Sequence, residues 1–285
     1  MTLVHLPGHV AGPHPRATPA PVAATQLRTP LSWFAGGAVL SFAVAWIAAD
    51  MLELHHDLYL LVYFTVVGTF LASFLAHTWT EVHNMLATNL WWSIGVGALV
   101  GMALMQNVVR EESTTRPSGA FYVFEIAWRG IAYGAFDALL LFVFPAAVAY
   151  LLMGGNRHGF KRKLSFASLT VGLSLMISAI YHLGYAQFRG GELIKPEIGA
   201  AFGNMAAVFT GNPVGALLAH TAYHVTSNVH TYRSGTFLPP DLNGYAERGG
   251  GGIGLVIAVA WMAFAAGLVW WQRRRLFPSR ERLTR

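Results

Sequence analysis

The chain has 285 residues, of which 54% are hydrophobic and only 11% are charged, whereas charged residues make up about 25% of an ordinary soluble domain. Cysteine is absent, which excludes a disulfide framework, a thiolate nucleophile and a thiolate metal site. The formal net charge of +6 does not indicate a nucleic-acid partner, because the cations cluster beside apolar segments. We therefore expect an all-α, polytopic membrane helix bundle.

The two ends of the chain differ in composition from the part between them. Residues 1–30 contain proline, alanine and histidine without periodicity, which predicts a disordered cytoplasmic tail. Its histidines at positions 5, 9 and 14 could bind a metal ion only adventitiously. Residues 31–275 are expected to form the transmembrane helical domain, and residues 276–285 a basic cytoplasmic tail.

Most of the expected membrane helices are long apolar segments, since a helix needs about 17–25 residues to cross a bilayer. These segments lie at roughly 33–50, 58–77, 87–106, 121–152, 165–186 and 253–272. The interval 199–228 is interrupted by Thr210-Gly211-Asn212-Pro213, so we expect two shorter helices there, at about 199–210 and 213–228. The segment 121–152 is too long for one straight span, and Gly130, Gly134 and Pro145 are candidate bends.

The distribution of charge predicts how these segments cross the membrane. Basic residues cluster at 157–163 and 273–285, as expected of cytoplasmic loops and tails. Both clusters can be cytoplasmic only if the interval 199–228 counts as two segments. The preferred topology therefore has eight segments with both termini in the cytoplasm, in a multi-pass protein of the plasma membrane. The loop 50–57, with three acidic residues and no Lys or Arg, then lies outside.

Glu125 and Arg129 form the first candidate functional pair. They lie four residues apart, so on a helix they share a face with the acid N-terminal to the base. Ionisable groups at membrane depth cost about 2.5 kcal/mol or more each and by default mark a functional site. The alternative is a structural ion pair. Asp137 falls near the same face and is expected to hold the guanidinium as well.

Three histidines downstream complete the set of candidate site residues. His182 lies near the end of an apolar segment, where a histidine satisfied within the core is the alternative to a catalytic one. His220 and His224 share a helix face directly after the Gly-Asn-Pro break. Their HxxxH spacing suits a metal ion, and it also suits two donors aimed at one oxygen. The glutamate of a zinc-protease HExxH motif is missing.

Two further polar groups are not interpreted as catalytic. Glu111, Glu112 and Arg116 spell EExxxR, but they lie in a polar stretch ending in Pro117 and are interpreted as solvated loop charges. Histidines at positions 55, 56, 77 and 83 fall at expected membrane edges, which favours an interfacial or hydrogen-bonding role. A metal site among them is the alternative.

The order of these elements resembles the CPBP family, the CAAX-protease and bacteriocin-processing (Abi-like) intramembrane glutamic proteases. The resemblance covers residues 120–228 and has three parts. Phe124-Glu125 to Arg129-Gly130 matches the family's EExxxR motif, Ser178 to His182 matches FxxxH, and His220 to His224 after the break matches HxxxN. Three residues depart from the pattern: Phe124 replaces the first glutamate, Ser178 the phenylalanine, and His224 the final asparagine or aspartate.

The resemblance implies an intramembrane endopeptidase, a hydrolase acting on a membrane protein or prenylated peptide. Glu125 and His182 would activate water, His220 and His224 would hold the oxyanion, and Arg129 would orient Glu125. No cofactor is expected; if a metal ion is bound, the three histidines are its expected ligands. The sequence specifies no partner subunit.

Two other functions are compatible with these residues. One is a catalytically inactive relative that serves as a membrane binding or scaffold protein, and Phe124 is the feature that favours it. The other is a membrane oxidoreductase with a histidine-ligated metal or haem, favoured by the density of histidines near membrane segments.

Overall fold

The computed structural model describes residues 24–189 and 193–233, and within these ranges the regular secondary structure is helical. Its helices are α1 (Ala24–Val44, continued by a π-helical segment Ala45–Met51), α2 (His56–Ala87), α3 (Leu90–Val109), α4 (Gly119–Leu152), α5 (Phe160–Leu183), α6 (Ile194–Gly203), α7 (Met205–Thr210) and α8 (Val214–His230). The expected segment 253–272, the C-terminal tail and residues 1–23 of the N-terminal tail lie outside the described residues.

Helices α1 to α5 are each long and apolar enough to cross a membrane, judged by length and composition. The prediction of an all-α membrane bundle is confirmed at this level. The count of eight crossings and the cytoplasmic position of both termini stay predictions. Helices α6, α7 and α8 are shorter, with 10, 6 and 17 residues. They occupy the interval in which two helices, separated by the Gly-Asn-Pro break, were expected.

Helix α4 is the centre of the bundle. In its most apolar window 72% of the residues are buried, against 28–39% for the other four long helices. It is continuous and contains two π-helical segments, Ile126–Ala132, which includes Gly130, and Leu139–Val143. The second of these precedes Pro145, whose ring would clash with a carbonyl of the preceding turn in a regular α-helix. Ser174 on α5 donates to the carbonyl of Leu141 at 2.5 Å and so satisfies a carbonyl of this segment.

Small residues let α8 pack closely against its neighbours. A Cβ at Gly97 on α3 would lie 2.4 Å from the Cα of Gly215 on α8, so the two backbones touch there. On the opposite side, a Cβ at Gly134 on α4 would lie 2.9 Å from the Cβ of His224. Close approach through small residues is the usual packing of membrane helices. It clamps the histidine-bearing face of α8 against α4.

The break before α8 is built around Asn212, which is fully buried. Its Nδ2 donates to the carbonyls of Leu86 and Thr88 at 2.6 and 2.8 Å, and its Oδ1 accepts from the amide of Val214 at 2.9 Å. Gly211 takes a left-handed conformation with φ of +74°, which suits glycine because it lacks a Cβ. These bonds fasten the start of α8 to the turn between α2 and α3.

A second break, between α6 and α7, was not expected from the sequence. It lies at Asn204, which is fully buried. The Nδ2 of Asn204 donates to Ser174 Oγ at 2.7 Å and to the carbonyl of Ala200 at 2.8 Å. An asparagine side chain that bonds to the preceding turn competes with the helix's own hydrogen bonds. This explains the end of α6 at Gly203.

Candidate functional site

Asp137, His220 and His224 form a compact polar cluster between α4 and α8. Asp137 Oδ2 lies 2.7 Å from His220 Nε2 and 3.7 Å from His224 Nε2, and the two Nε2 atoms are 3.0 Å apart. Asp137 is 3% and His224 2% exposed, while His220 is partly buried. The HxxxH spacing therefore does place both imidazoles on one face, and that face meets a carboxylate.

This cluster opens into a cavity of about 760 Å³. His182 and Ser178 on α5 line the same cavity, together with Phe142 and Tyr223. Two exposed residues, Glu111 after the end of α3 and Lys195 in the first turn of α6, also line it, so the cavity extends from the buried cluster to the surface of the bundle. The three histidines expected to form a site thus share one cavity.

His182 is held by its own helix. Its Nδ1 lies 2.8 Å from the carbonyl of Ser178 and 3.3 Å from the Ser178 hydroxyl. A carbonyl can only accept, so Nδ1 carries the proton and the neutral ring keeps its lone pair on Nε2. The serine that replaces the phenylalanine of the family's second motif therefore contacts the histidine of that motif.

Glu125 lies in a different cluster and does not line the cavity. Its carboxylate pairs with the Nε of Arg129, and Arg129 also donates to Asp57 Oδ1 from Nε at 3.3 Å and from Nη2 at 3.2 Å. Glu125 is 0%, Asp57 5% and Arg129 6% exposed. The expected pair of Glu125 and Arg129 is present, but the geometry does not bring Glu125 together with the three histidines.

The expectation that Asp137 holds the guanidinium is wrong, since Asp57 takes that place. The reason is local: Arg129 lies in the π-helical segment Ile126–Ala132. A π turn has more residues than an α turn, so it shifts the face on which later residues lie. Asp137 turns instead toward α2 and α8.

Phe124, which replaces the first glutamate of the motif, does not line the cavity. Its ring stacks on Trp128 with ring centroids 5.9 Å apart.

Tyrosines surround the carboxylate of Asp137. Tyr63 on α2 donates to Asp137 Oδ1 at 3.1 Å, leaving Oδ2 for the histidines. The other members, Tyr59, Tyr133, Tyr181 and Tyr185, are buried and joined hydroxyl to hydroxyl. This group of tyrosines was not expected from the sequence. The sequence feature that could have indicated it is the spacing of four residues between Tyr59 and Tyr63 and between Tyr181 and Tyr185, which places each pair on one helix face.

The segment after α8 covers the Glu125–Arg129–Asp57 cluster. Arg129 Cζ lies 5.5 Å from the centroid of the Tyr232 ring. Burial raises the pKa of the Tyr232 phenol to about 12, so the phenol is neutral at physiological pH. The segment is fixed by the loop after α3, where the amide of Thr114 donates to the carbonyl of His230 at 3.0 Å. His230 thus has a role at the end of α8 and not in the cavity.

The remaining expected residues lie outside the cavity or at its edge. Glu111 and Glu112 are exposed in the loop after α3, as expected, although Glu111 also lines the cavity. His55 Nδ1 accepts from the amide of Asp57 at 3.3 Å. His77 and His83 contact the rings of Trp33 and Trp79. The contact of His55 is of the hydrogen-bonding kind expected for this histidine group, and the interfacial role stays a prediction.

A metal ion could be held by the buried cluster in the cavity. Within the described ranges, the one group of three or more His, Asp or Glu residues whose donor atoms lie within 4.8 Å of one another is Asp137, His220 and His224. This group contains two of the three histidines expected as ligands of a metal ion, together with Asp137 and without His182. The same cluster can also position a water molecule for proton transfer, since a carboxylate and imidazoles face one cavity.

Comparison of the chain with protein-family models, with curated proteins and with solved structures gives no match. The resemblance to the CPBP family therefore rests on the motifs alone.

Proposed function

We propose that the protein is an intramembrane hydrolase, a CPBP-like endopeptidase that cleaves a peptide bond of a membrane or prenylated substrate. The observation that carries the proposal is the cavity in which one carboxylate and three imidazoles meet inside an apolar helix bundle. Such groups are expensive at membrane depth, and they are retained where they serve a function.

The hydrogen bonds of the cluster assign a role to each residue. His220 Nε2 is 2.7 Å from Asp137 Oδ2, so the carboxylate fixes the ring and stabilises it if it takes a proton. His182 presents an unprotonated Nε2 and acts as the proton acceptor for the attacking water. His224 faces the same space, and when no metal ion is bound its Nε2 can donate to the developing oxyanion. Asp137 is thus the carboxylate of this site, although it orients His220 and does not itself activate water, which is the role that the resemblance gave to Glu125.

Glu125 has a structural role in this proposal. Its carboxylate shares the Arg129 guanidinium with Asp57, and this ion cluster joins α4 to the start of α2. Because Glu125 is engaged by Arg129 and does not line the cavity, it is a poor candidate for the base that deprotonates a water molecule there.

The shape of the cavity suits a substrate with apolar and polar parts. Its wall includes Leu104 on α3 and Phe188, Ile198 and Phe202 beyond α5. Polar residues lie at its exposed end, where Lys195 and Glu111 are found. A peptide bond close to a hydrophobic segment or an isoprenyl chain could reach the cluster while its apolar part stays in the membrane or against this wall.

The proposal is tested by labelling new protein N-termini in membranes that contain the wild-type protein or the Asp137→Asn variant. Cleavage products should appear with the wild type and be lost with Asp137→Asn. The matched control is Asp57→Asn, a buried aspartate outside the cavity, which should retain the products in proportion to its folded amount. Identical N-termini in wild-type and Asp137→Asn membranes would favour a non-catalytic binding or scaffold protein.

A second function, a membrane oxidoreductase, is favoured by one observation. Two histidines and one carboxylate with open positions are the ligand set of many non-haem iron enzymes, and Asp137, His220 and His224 have that composition. Stoichiometric iron with a matching optical spectrum in the purified protein, without cleavage products, would select this function over hydrolysis.

A further inference from the structure

We propose that Asp137, His220 and His224 bind one divalent first-row transition-metal ion, with an open coordination position that faces the cavity. The inference deepens the proposed function, on which its catalytic meaning rests, but the binding site itself is argued from geometry. It replaces the all-histidine ligand set expected from the sequence by two imidazoles and one carboxylate.

The separations among the three donor atoms fit a single ion. Ligand atoms about 2.0–2.1 Å from a four-coordinate zinc ion lie roughly 3.3 Å from one another. The three separations in the cluster are 2.7, 3.0 and 3.7 Å, which fall on both sides of that value. Small side-chain movements would make them equal. The helix spacing of His220 and His224 and the position of Asp137 on α4 already bring all three atoms within 4.8 Å of one another.

The charge of Asp137 also calls for a cation. Asp137 is 3% exposed, and buried charges in proteins are normally paired or bound to a metal ion. Among the described ion pairs its partners are His220 and His224, with no lysine or arginine. Arg129 is occupied by Asp57 and Glu125. A bound dication would neutralise the carboxylate.

The protons of the cluster lead to the same conclusion. If His220 Nε2 donates to Asp137, it cannot also accept a proton from His224 Nε2, which lies 3.0 Å away. If His224 donates to His220, the lone pair of His220 is no longer free and the ring faces the carboxylate oxygen at 2.7 Å without a proton between them. A metal ion is compatible with all three separations at once, because each of the three atoms then contributes a lone pair.

Tyr63 supports the carboxylate in the way that metal sites require. It donates to Asp137 Oδ1, the oxygen that does not face the histidines, at 3.1 Å. Hydrogen bonds to ligating carboxylates fix their orientation, and their loss typically weakens metal binding by about 10–100-fold. The cavity reaches the opposite side of the cluster, so a water molecule has access to the ion there. A metal-bound water in this position would be acidic enough to act in hydrolysis near neutral pH.

The first experiment is elemental analysis of the full chain, purified in detergent through a tag without histidine and dialysed against a weak chelator. The expected result is about one equivalent of zinc, iron or another first-row divalent metal per chain in the wild type, and none in Asp137→Asn or His224→Ala. The matched control is His182→Ala, which removes a cavity histidine outside the proposed ligand set and should keep the metal. A variant lacking His5, His9 and His14 excludes adventitious binding by the tail.

A second pair of variants tests the support of the carboxylate. Tyr63→Phe should weaken zinc affinity by about 10–100-fold, measured by competition with a chromophoric chelator. Tyr59→Phe is the control, because its hydroxyl bonds to Tyr185 and not to Asp137. Equal affinities in the two variants would contradict the assigned role of Tyr63, and wild-type protein free of metal that does not bind added zinc would overturn the site.

The inference and the proposed function fail in different ways. Metal-free protein that still cleaves substrate would contradict the metal site and leave the hydrolase. Protein with about one iron per chain and no cleavage activity would support the metal site and contradict the hydrolase. One zinc per chain, with cleavage lost on chelation and restored by zinc, would support both.

Discussion

At the residue scale, the spacing of four residues was sufficient to predict that Glu125 and Arg129 pair. It was not sufficient to predict their surroundings. Asp57, which completes the cluster, is separated from Arg129 by 72 residues and looked like one of several acids in an outer loop. Asp137 was expected to bind Arg129 because the two residues would share a face of an ideal α-helix. The π-helical segment between them changes which residues share a face. Local spacing predicts contacts along one helix, whereas contacts between helices depend on packing.

The shared guanidinium leads to a stability prediction. Arg129→Ala leaves the buried carboxylates of Glu125 and Asp57 without a counter-charge, and removing one partner of a buried ion pair typically costs about 3–5 kcal/mol. Glu125→Gln should cost less, because Asp57 still neutralises Arg129. The measurement is thermal unfolding of the purified variants in detergent. Similar losses of melting temperature in the two variants would show that the guanidinium is not shared.

At the element scale, the apolar segments correctly located the long helices, because a run of about 20 apolar residues has few alternatives to a membrane helix. The break at Thr210-Gly211-Asn212-Pro213 was also predictable, since glycine and proline interrupt helices by their backbone chemistry. The break at Asn204 was not, because it depends on a side-chain bond to Ser174 on another helix. Gly134 of α4, a candidate bend in the sequence, also permits close contact with His224, which the sequence did not predict.

Close packing of α3 on α8 gives a prediction for a matched glycine pair. Gly97→Ala would place a Cβ 2.4 Å from the backbone of Gly215, so the helices must separate, at a cost of about 1–3 kcal/mol. Gly95→Ala, two residues away on the same helix, meets nothing within 4 Å and should change stability by less than about 1 kcal/mol. Thermal unfolding in detergent distinguishes the two. Equal stability would contradict the packing of α3 against α8.

At the scale of the whole molecule, the three histidines selected from the sequence line one cavity, but their acidic neighbour Asp137 was not expected there. Asp137 and His220 are 83 residues apart, and their contact follows from the insertion of α8 between α3 and α4. The arrangement of helices around α4 could not be derived from the hydrophobic segments, because every membrane helix is apolar over most of its surface and many packings would bury the same residues.

The topology is directly testable because the chain contains no cysteine. Single cysteines at Glu112, before α4, and at His158, after it, should lie on opposite sides of the membrane. The charge pattern predicts that a membrane-impermeant maleimide added to intact cells labels Glu112→Cys and not His158→Cys. Thr18→Cys and Thr284→Cys in the two tails should also stay unlabelled until the cells are lysed. Labelling of one tail and not the other in intact cells would contradict an even number of crossings.

The most direct test of a reactive site centred on Asp137 compares two carboxylates in one assay. Purified Asp137→Asn and Glu125→Gln variants are given the substrate identified by N-terminal labelling, and cleavage rates are corrected for the folded fraction. Asp137→Asn should lower the rate by at least about 100-fold, as loss of a positioned acid–base group does, while Glu125→Gln should stay within about tenfold of the wild type. A folded Glu125→Gln variant without activity, beside an active Asp137→Asn variant, would contradict the assignment and return the catalytic role to Glu125.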